Sequence, residues 1–226
     1  MYALLISQNA DEMAVLSLVL QRGGLTVTTN GDPELALKAW PEHPADLILI
    51  AWQDDPLSYI RRFRAVTQAP IILVIDPPSE DTHYQFLDAG ADFVAPRPYS
   101  ARLLIAQVRA LLRRSGNVPV FSLPTLSLAG LSLDPATRTV QVSGKPTRRL
   151  TQLEFRLLYT LMIHREQILS NETIVERVWG YGGRGDKELV RGLVRRLRSK
   201  IEPHPGTPRY ILTVPGVGYC FQCQHE

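Results

Sequence analysis

The chain has 226 residues, of which 45% are hydrophobic and 21% charged, an ordinary globular composition that excludes collagen-like, mucin-like and disordered chains. The net charge of +3 is unevenly distributed, because residues 1–116 hold 10 basic and 13 acidic residues whereas residues 117–226 hold 15 and 9. The length fits one or two domains. We therefore infer an acidic domain followed by a basic domain that faces an anionic partner.

The sequence also bears on location. The apolar run at the start is too short for a secretory signal, and no stretch approaches the ~20 apolar residues that span a bilayer. Two cysteines cannot staple a fold of this size. We interpret Cys220 and Cys223 as reduced thiols, since residues three apart on a strand face opposite sides. We expect a cytoplasmic, nucleoid-associated protein and no membrane partner.

Strands and helices alternate through the first half. Apolar runs predict strands at 2–6, 25–29, 46–51, 70–75 and 92–95, with helices at 11–22, from 32, and at 57–64, 79–89 and 101–114. The first helix is indicated by the apolar spacing of Met13, Val15, Leu16, Val19 and Leu20. In the second, the residues predicted to form the inner face are Leu35, Ala36, Ala39 and Trp40. Near-continuous apolar strands separated by helices predict an α/β doubly wound fold with a parallel five-stranded sheet.

Such a sheet binds ligands at the carboxyl ends of its strands. Here those ends are Ser7-Gln8, Ala51-Trp52, Ile75-Asp76 and Arg97-Pro98. No glycine-rich phosphate-binding loop follows any strand, so dinucleotide and nucleoside-triphosphate binding lack their fingerprint. No nucleophile–base pair is visible either, and we predict no enzyme activity, no catalytic residue, no metal and no cofactor.

Several segments of this half resemble a known domain. Asp46-Leu-Ile-Leu-Ile, Ala89-Gly-Ala-Asp92 and Arg97-Pro-Tyr-Ser100 resemble a bacterial response-regulator receiver domain over residues 1–115. In that family, acidic residues hold Mg²⁺, an aspartate accepts the phosphoryl group, and a Thr or Ser and a lysine complete the site. At the corresponding positions this chain has Ser7, Gln8, Ala51, Ile75 and Arg97.

These departures predict a degenerate, atypical receiver that acts without aspartyl phosphorylation. Ala51 cannot be a nucleophile, and neutral Ser7 and Gln8 are poor ligands for a hard cation. Arg97 is expected to pair with Asp76 or Asp54, or to bind an anion. Two alternatives remain open: a regulator gated by a small ligand or anion at the strand ends, and a conventional phosphorylated regulator with a displaced acceptor such as Asp54, Asp55 or Asp76.

The pattern changes after a predicted linker at 116–123, where a second domain at 124–226 begins. Three extended pieces at 126–133, 138–142 and 145–150 predict a small antiparallel sheet. Three helices follow, the first with a capping box of Thr151 and Glu154, the second capped by Ser170 and the third starting near 186. Extended segments at 209–214 and 217–221 flank Pro215-Gly216 and predict a hairpin. This order is typical of an α+β winged helix-turn-helix domain.

The third of these helices is strongly basic, with seven Lys/Arg against two acidic residues between 184 and 200. Its helical spacing buries Val190, Leu193, Val194, Leu197 and Ile201, and places Arg191, Arg195 and Arg198 in a stripe with Arg196 on the other flank. Gly192 is predicted on the exposed side, where it permits close approach to another surface. Such a helix can enter a DNA major groove.

The second half is identified as a member of the OmpR/PhoB effector family by Leu150-Thr-Gln-Leu-Glu-Phe-Arg-Leu-Leu158, Arg195-Arg-Leu-Arg-Ser-Lys200 and Thr213-Val-Pro-Gly-Val-Gly-Tyr219. This resemblance implies DNA contacts by Arg195, Arg196, Arg198, Thr213 and Tyr219. The family has Asp and His where this chain has Arg191 and Leu193, and a wing arginine where it has Pro215.

The complete prediction is a sequence-specific transcription regulator that binds promoter DNA as a homodimer, with RNA polymerase as a candidate further partner. Predicted DNA-binding residues are Arg184, Lys187, Arg191, Arg195, Arg196, Arg198, Lys200, Thr213 and Tyr219. The family pairs receivers through a face made by helix four, strand five and helix five. Residues predicted for this interface are Leu87, Phe93, Val94, Leu103 and Gln107.

Overall fold

The computed structural model describes residues 1–116, 124–180 and 187–222, without the side chains of 113–116. The chain divides into two compact units, Met1–Arg113 and Arg114–Glu226. Most of the predicted linker, together with Arg184 and Cys223, lies outside the described residues, so the predicted domain boundaries stay a prediction.

The first unit, called the receiver unit below, is a parallel sheet covered by helices. Its elements are β1 Tyr2–Ser7, α1 Ala10–Arg22, β2 Thr26–Asn30, α2 Pro33–Ala39, β3 Leu47–Ala51, α3 Leu57–Val66, β4 Ile71–Ile75, α4 Glu80–Ala89, β5 Phe93–Pro96 and α5 Ala101–Gly116. All strand pairs are parallel in the order β2-β1-β3-β4-β5. The predicted α/β doubly wound fold with five parallel strands is confirmed.

Burial explains the strength of the strand signals. Every residue of β3 and β4 is buried, as expected for strands with helices on both faces. The prediction that Leu35 and Ala39 face inward is wrong, because Leu35 is 55% exposed and Ala39 is also exposed. Val15, which shares the apolar spacing of the first helix, is 53% exposed. In α1 the inward face is the narrower stripe of Leu16, Val19 and Leu20.

A buried ion pair joins three elements of the receiver unit. Arg64 Nη2 near the end of α3 donates to the Asp92 carboxylate at 2.6 Å, and Asp92 also accepts from the backbone N–H of Ile71 at 2.9 Å. Arg64 donates further to the carbonyl oxygens of Ala69 and Gly90. This network stabilises the starts of β4 and β5 against α3.

The second unit, called the winged-helix unit below, combines two small sheets with three helices. Its elements are β6 Leu126–Leu128, β7 Leu131–Asp134, β8 Thr139–Val142, β9 Arg148–Arg149, α6 Gln152–Ile163, β10 Leu169–Ser170, α7 Asn171–Val178, α8 Lys187–Ile201, β11 Ile211–Val214 and β12 Gly218–Phe221. The sheets have the orders β6-β7-β8-β9 and β10-β12-β11. The predicted α+β winged helix-turn-helix fold is confirmed, as are the capping box of Thr151 and Glu154 and the Ser170 cap.

The end of β12 corrects one expectation. Cys220 is fully buried and disulfide-bonded, so its interpretation as a reduced thiol is wrong. The strand ends at Phe221, and Gln222 has a left-handed φ of 52°, so strand alternation does not extend beyond Phe221.

Within the described residues, none of the helices combines the length and apolar character needed to cross a membrane.

Candidate functional site

The helix α8 presents a basic stripe on its exposed side. Lys187, Arg191 and Arg195 are exposed and four residues apart, and Ser199 continues the same line. The opposite side packs on α6 and α7 and buries Val190, Leu193, Val194, Leu197 and Ile201, as predicted. Because a helix repeats every 3.6 residues, spacing by four keeps the three cationic side chains on one face.

The prediction for Gly192 is wrong. Gly192 is buried on the packed side of α8, next to Leu189 and Leu193. The apolar spacing predicted a buried stripe along Val190 and Val194 that excludes Gly192. The buried surface of α8 is wider than this stripe and includes Gly192. Close approach of DNA therefore does not explain this mid-helix glycine.

Arg198 contacts the wing rather than the exposed stripe. Its Nη2 donates to the carbonyl oxygen of Ile211 at 2.6 Å and to Thr213 Oγ1 at 2.9 Å, and its guanidinium lies over the Tyr219 ring. Burial lowers the pKa of Arg198, although Tyr219 and Glu202 oppose that shift. Arg198 thus holds the hairpin β11–β12 against α8.

Glu202, just beyond α8, holds the same hairpin and was missed by the sequence analysis. Glu202 is 1% exposed, and its carboxylate accepts from the backbone N–H groups of Arg209, Tyr210 and Ile211 at 2.8–2.9 Å. No spacing rule identifies such a residue, because its partners are backbone groups of the following segment. With Arg198, it fixes the wing to the end of the basic helix.

Lys200 lies on the inner flank of α8. Its Nζ donates to Glu154 Oε2 at 2.6 Å and to the carbonyl oxygen of Arg149 at 3.3 Å. Burial alone would raise the pKa of Glu154, but Lys200 and Arg196 hold it below its usual value. The ammonium of this predicted DNA-binding residue therefore neutralises a buried carboxylate of the same unit.

The tip of the wing is exposed. Pro215, Gly216 and Val217 form the turn between β11 and β12, and Gly216 has a φ of +76°. Thr213 is exposed beside this turn and lies opposite Tyr219, which is 8% exposed. Of the two predicted wing contacts, Thr213 is the accessible one.

A second candidate site lies at the strand ends of the receiver unit. Ser7 and Ala51 are paired at the ends of β1 and β3, where the strand order reverses. A cavity of 230 Å³ lies here, lined by Ser7, Gln8, Asn9, Glu12, Ala51 and Gln53. Ser7 is 1% exposed, and its hydroxyl donates to the backbone carbonyl of Asn9 at 3.3 Å.

Arg97 forms hydrogen bonds across the carboxyl ends of the strands. Its Nε and Nη2 donate to the two carboxylate oxygens of Glu12 at 2.7 and 2.8 Å, and Nη1 donates to the carbonyl oxygen of Trp52 at 3.2 Å. The predicted partner Asp76 is more distant, at 3.4 Å from Nη1. The hydrogen bonds to Glu12, mainly, and the charge of Asp76 raise the pKa of Arg97, against the effect of burial.

The strand ends do not fit the magnesium ion and phosphoryl group of a typical receiver. In the described part of the chain, no group of three His, Cys, Asp or Glu side chains is arranged to hold a metal ion. Both carboxylate oxygens of Glu12 face Arg97, and Ala51 and Ile75 offer neither a nucleophile nor a hydroxyl.

Four of the five residues predicted for the dimer interface are buried inside the receiver unit and are not accessible to a partner. Leu87, Phe93, Val94 and Gln107 are 2–8% exposed within the receiver unit itself, whereas Leu103 is 56% exposed. The resemblance names a region of the fold and does not separate its inward from its outward positions, and dimerisation through this region stays a prediction. Only Leu103 of this set is accessible to a partner.

Comparisons with known proteins agree with both units. The family model described as "Transcriptional regulatory protein, C terminal" matches residues 144–221. The chain is 33% identical to the sensory transduction protein RegX3 of Mycolicibacterium smegmatis, over 97% of this chain and 98% of that protein. It is also 33% identical to the DNA-binding response regulator MtrA of Mycobacterium tuberculosis, over 96% and 94%.

Two solved structures extend the comparison. A RitR mutant superposes with a TM-score of 0.76 at 25% identity and covers 99% of both chains. DrrB, an OmpR/PhoB homolog of Thermotoga maritima, superposes with a TM-score of 0.50 at 23% identity over 98% of both chains, which shows the shared fold.

Proposed function

Because the chain belongs to the OmpR/PhoB-type response regulators, we propose that it regulates transcription by binding promoter DNA through α8 and the wing. The observation that carries this proposal is the exposed basic stripe of Lys187, Arg191 and Arg195 on a helix whose other side is buried. Arginine on an exposed helix can donate two hydrogen bonds to a guanine edge in the major groove. The hydrogen bonds of Arg198 and Glu202 to the hairpin hold the wing in a fixed position beside that helix.

Within this proposal, the stripe residues have different roles. Arg195 lies mid-helix and reads base edges, whereas Lys187 lies at the helix start and contacts phosphates. Arg191 and Arg196 add positive charge, and Thr213 is the accessible wing contact. Lys200 contributes indirectly, since its ammonium is bound to Glu154.

Base readout and phosphate contact can be separated by two substitutions. We expect Arg195→Ala to cost about 1–3 kcal/mol on the correct site and little on random DNA, because it removes a base contact. Lys187→Ala should weaken binding to both DNAs about equally and flatten the salt dependence by about one unit. Fluorescence anisotropy at several salt concentrations measures both effects.

Ser199→Ala is the matched control, because Ser199 lies on the same exposed line without a charge. Its affinity should stay close to that of the unchanged protein on either DNA. Equal losses for Arg195→Ala on specific and random DNA would contradict base readout by this residue.

We further propose that regulation does not use aspartyl phosphorylation. Ala51 ends β3 where the family has its phosphoacceptor, and the strand-end cavity is lined mainly by neutral side chains. Arg97, at the position of the family's lysine, is bound to Glu12. These observations also favour the phosphorylation-independent proposal over a small-anion sensor, because the guanidinium that would bind the anion already has a carboxylate partner.

Dimerisation through the receiver unit completes the proposal. Leu103, near the start of α5, supports it as an exposed apolar residue in the region that pairs receivers in this family. The buried residues of this region, including Phe93 and Gln107, would pack beneath the dimer interface without contacting the partner. RNA polymerase remains a candidate partner of the DNA-bound dimer.

Treatment with a phosphodonor should leave this protein unchanged. We expect no phosphoryl adduct after incubation with acetyl phosphate and Mg²⁺, because Ala51 stands at the acceptor position and both carboxylate oxygens of Glu12 are bound to Arg97. The protein should sediment as a dimer at micromolar concentration with and without the phosphodonor, and its DNA affinity should stay the same. A stable adduct with tighter DNA binding, or a strictly monomeric species, would contradict the proposal.

A further inference from the structure

The Arg97 side chain contacts residues from several elements of the receiver unit, whereas an ordinary ion pair joins only two. It follows β5, and its guanidinium reaches Glu12 in the first turn of α1, the carbonyl oxygen of Trp52 after β3, and Asp76 after β4. The side chains of Arg97 and Glu12 are only 18% and 14% exposed. One cation therefore joins the carboxyl ends of three parallel strands to a helix that follows a fourth.

The geometry of the Glu12–Arg97 pair makes it a strong contact. Two parallel N–H···O bonds of 2.7 and 2.8 Å match the planar guanidinium to the carboxylate, and partial burial shields both charges from water. The receiver unit contains a useful comparison, the two-point pair between Arg62 and Glu34. Its side chains are 50% and 43% exposed, which leaves little net stabilisation.

We propose that the Glu12–Arg97 pair is a permanent internal clamp, which takes the place of a bound phosphoryl group and metal at the strand ends. It holds α1, β3, β4 and β5 together and so fixes the β5–α5 region in a single arrangement. This inference rests on the proposed phosphorylation-independent function. It gives that function a physical basis, because the charge that switches a typical receiver is supplied here by a side chain of the chain itself.

Breaking the clamp should loosen this edge of the receiver unit. In the full-length protein, Glu12→Gln keeps the size of the side chain but removes its charge. We expect amide exchange to accelerate at least tenfold at Arg97, Leu104 and Met13, whose backbone N–H groups are hydrogen-bonded at this edge of the receiver unit. The dimer dissociation constant, measured by sedimentation, should rise at least tenfold, because α5 begins four residues after Arg97.

Glu34→Gln is the matched control, since it removes the same charge from the exposed pair with Arg62 in the same unit. Exchange and sedimentation should then match those of the unchanged protein. Arg97→Lys provides a second test if Glu12→Gln does not fold, because lysine keeps the charge but cannot donate two parallel bonds. It should accelerate exchange at the same residues by a smaller factor.

The outcomes distinguish this inference from the function on which it rests. Exchange and dimerisation within twofold of the unchanged protein, for whichever of Glu12→Gln and Arg97→Lys folds, would overturn the clamp and leave phosphorylation independence standing. A phosphoryl adduct on the unchanged protein would overturn phosphorylation independence itself, whatever the two variants do.

Discussion

Replacing Lys200 by methionine is expected to lower the free energy of unfolding of the winged-helix unit by about 3 kcal/mol at pH 7. The substitution keeps the hydrophobic stem but removes the ammonium that lies 2.6 Å from Glu154 Oε2. The Glu154 side chain is 2% exposed, so its charge would remain buried without its main partner. Removing one member of a buried ion pair costs about 3–5 kcal/mol, and the partial exposure of Lys200 favours the lower end.

The loss should shrink as the pH falls. In the unchanged protein the folded-state pKa of Glu154 lies below its usual value, so this group adds stability above the unfolded-state pKa. That stability disappears as the pH falls through the folded-state pKa. In Lys200→Met the effect of burial dominates and the pKa of Glu154 rises, so protonation relieves the buried charge. The two proteins should therefore differ less at pH 4 than at pH 7.

Native-state amide exchange in α6 and α8 measures the stability of this unit within the full chain. The double substitution Glu154→Gln with Lys200→Met should recover part of the loss, because it leaves no buried charge unpaired. Lys187→Met, on the exposed face of the same helix, should change stability by less than about 0.5 kcal/mol. A loss in Lys200→Met that does not depend on pH would exclude Glu154 as its cause.

The sequence predicted those features that depend on local patterns. Continuous apolar runs identified β3 and β4, because a parallel strand is buried on both faces. The capping box of Thr151 and Glu154 located the start of α6, since its hydrogen bonds join residues three positions apart. The spacing of Arg191 and Arg195 predicted their exposure for the same reason, as both follow from the helical repeat.

Features that depend on distant partners were not predictable. Glu12 and Arg97 are 85 residues apart, and neither position indicates that their side chains meet. Helical spacing gives the direction of a Cα–Cβ bond but not the end point of a long side chain. Arg198 and Lys200 therefore bind the wing and Glu154 instead of extending the basic stripe.

Gly218→Ala is expected to destabilise the winged-helix unit by about 3 kcal/mol, through lack of space. Gly218 begins β12, the central strand of its sheet, and pairs with Ser170 of β10. An added Cβ would lie directly on the carbonyl oxygen of Leu169 and 3.0 Å from the Cα of Ser170. Both are backbone atoms of the neighbouring strand, so β10 and β12 must separate. Overpacking costs about 1–3 kcal/mol, and rigid backbone neighbours favour the upper end.

Two other glycines separate space from backbone conformation. Gly216 has a left-handed φ but no atom within 4 Å of an added Cβ, so Gly216→Ala should cost about 1 kcal/mol through strain alone. Gly206 has open space and no left-handed φ, so Gly206→Ala should stay within about 0.5 kcal/mol. Amide exchange in β12 and α6 of each variant gives the three values. Equal losses at Gly218 and Gly216 would contradict the steric explanation, because the close contact with β10 exists only at Gly218.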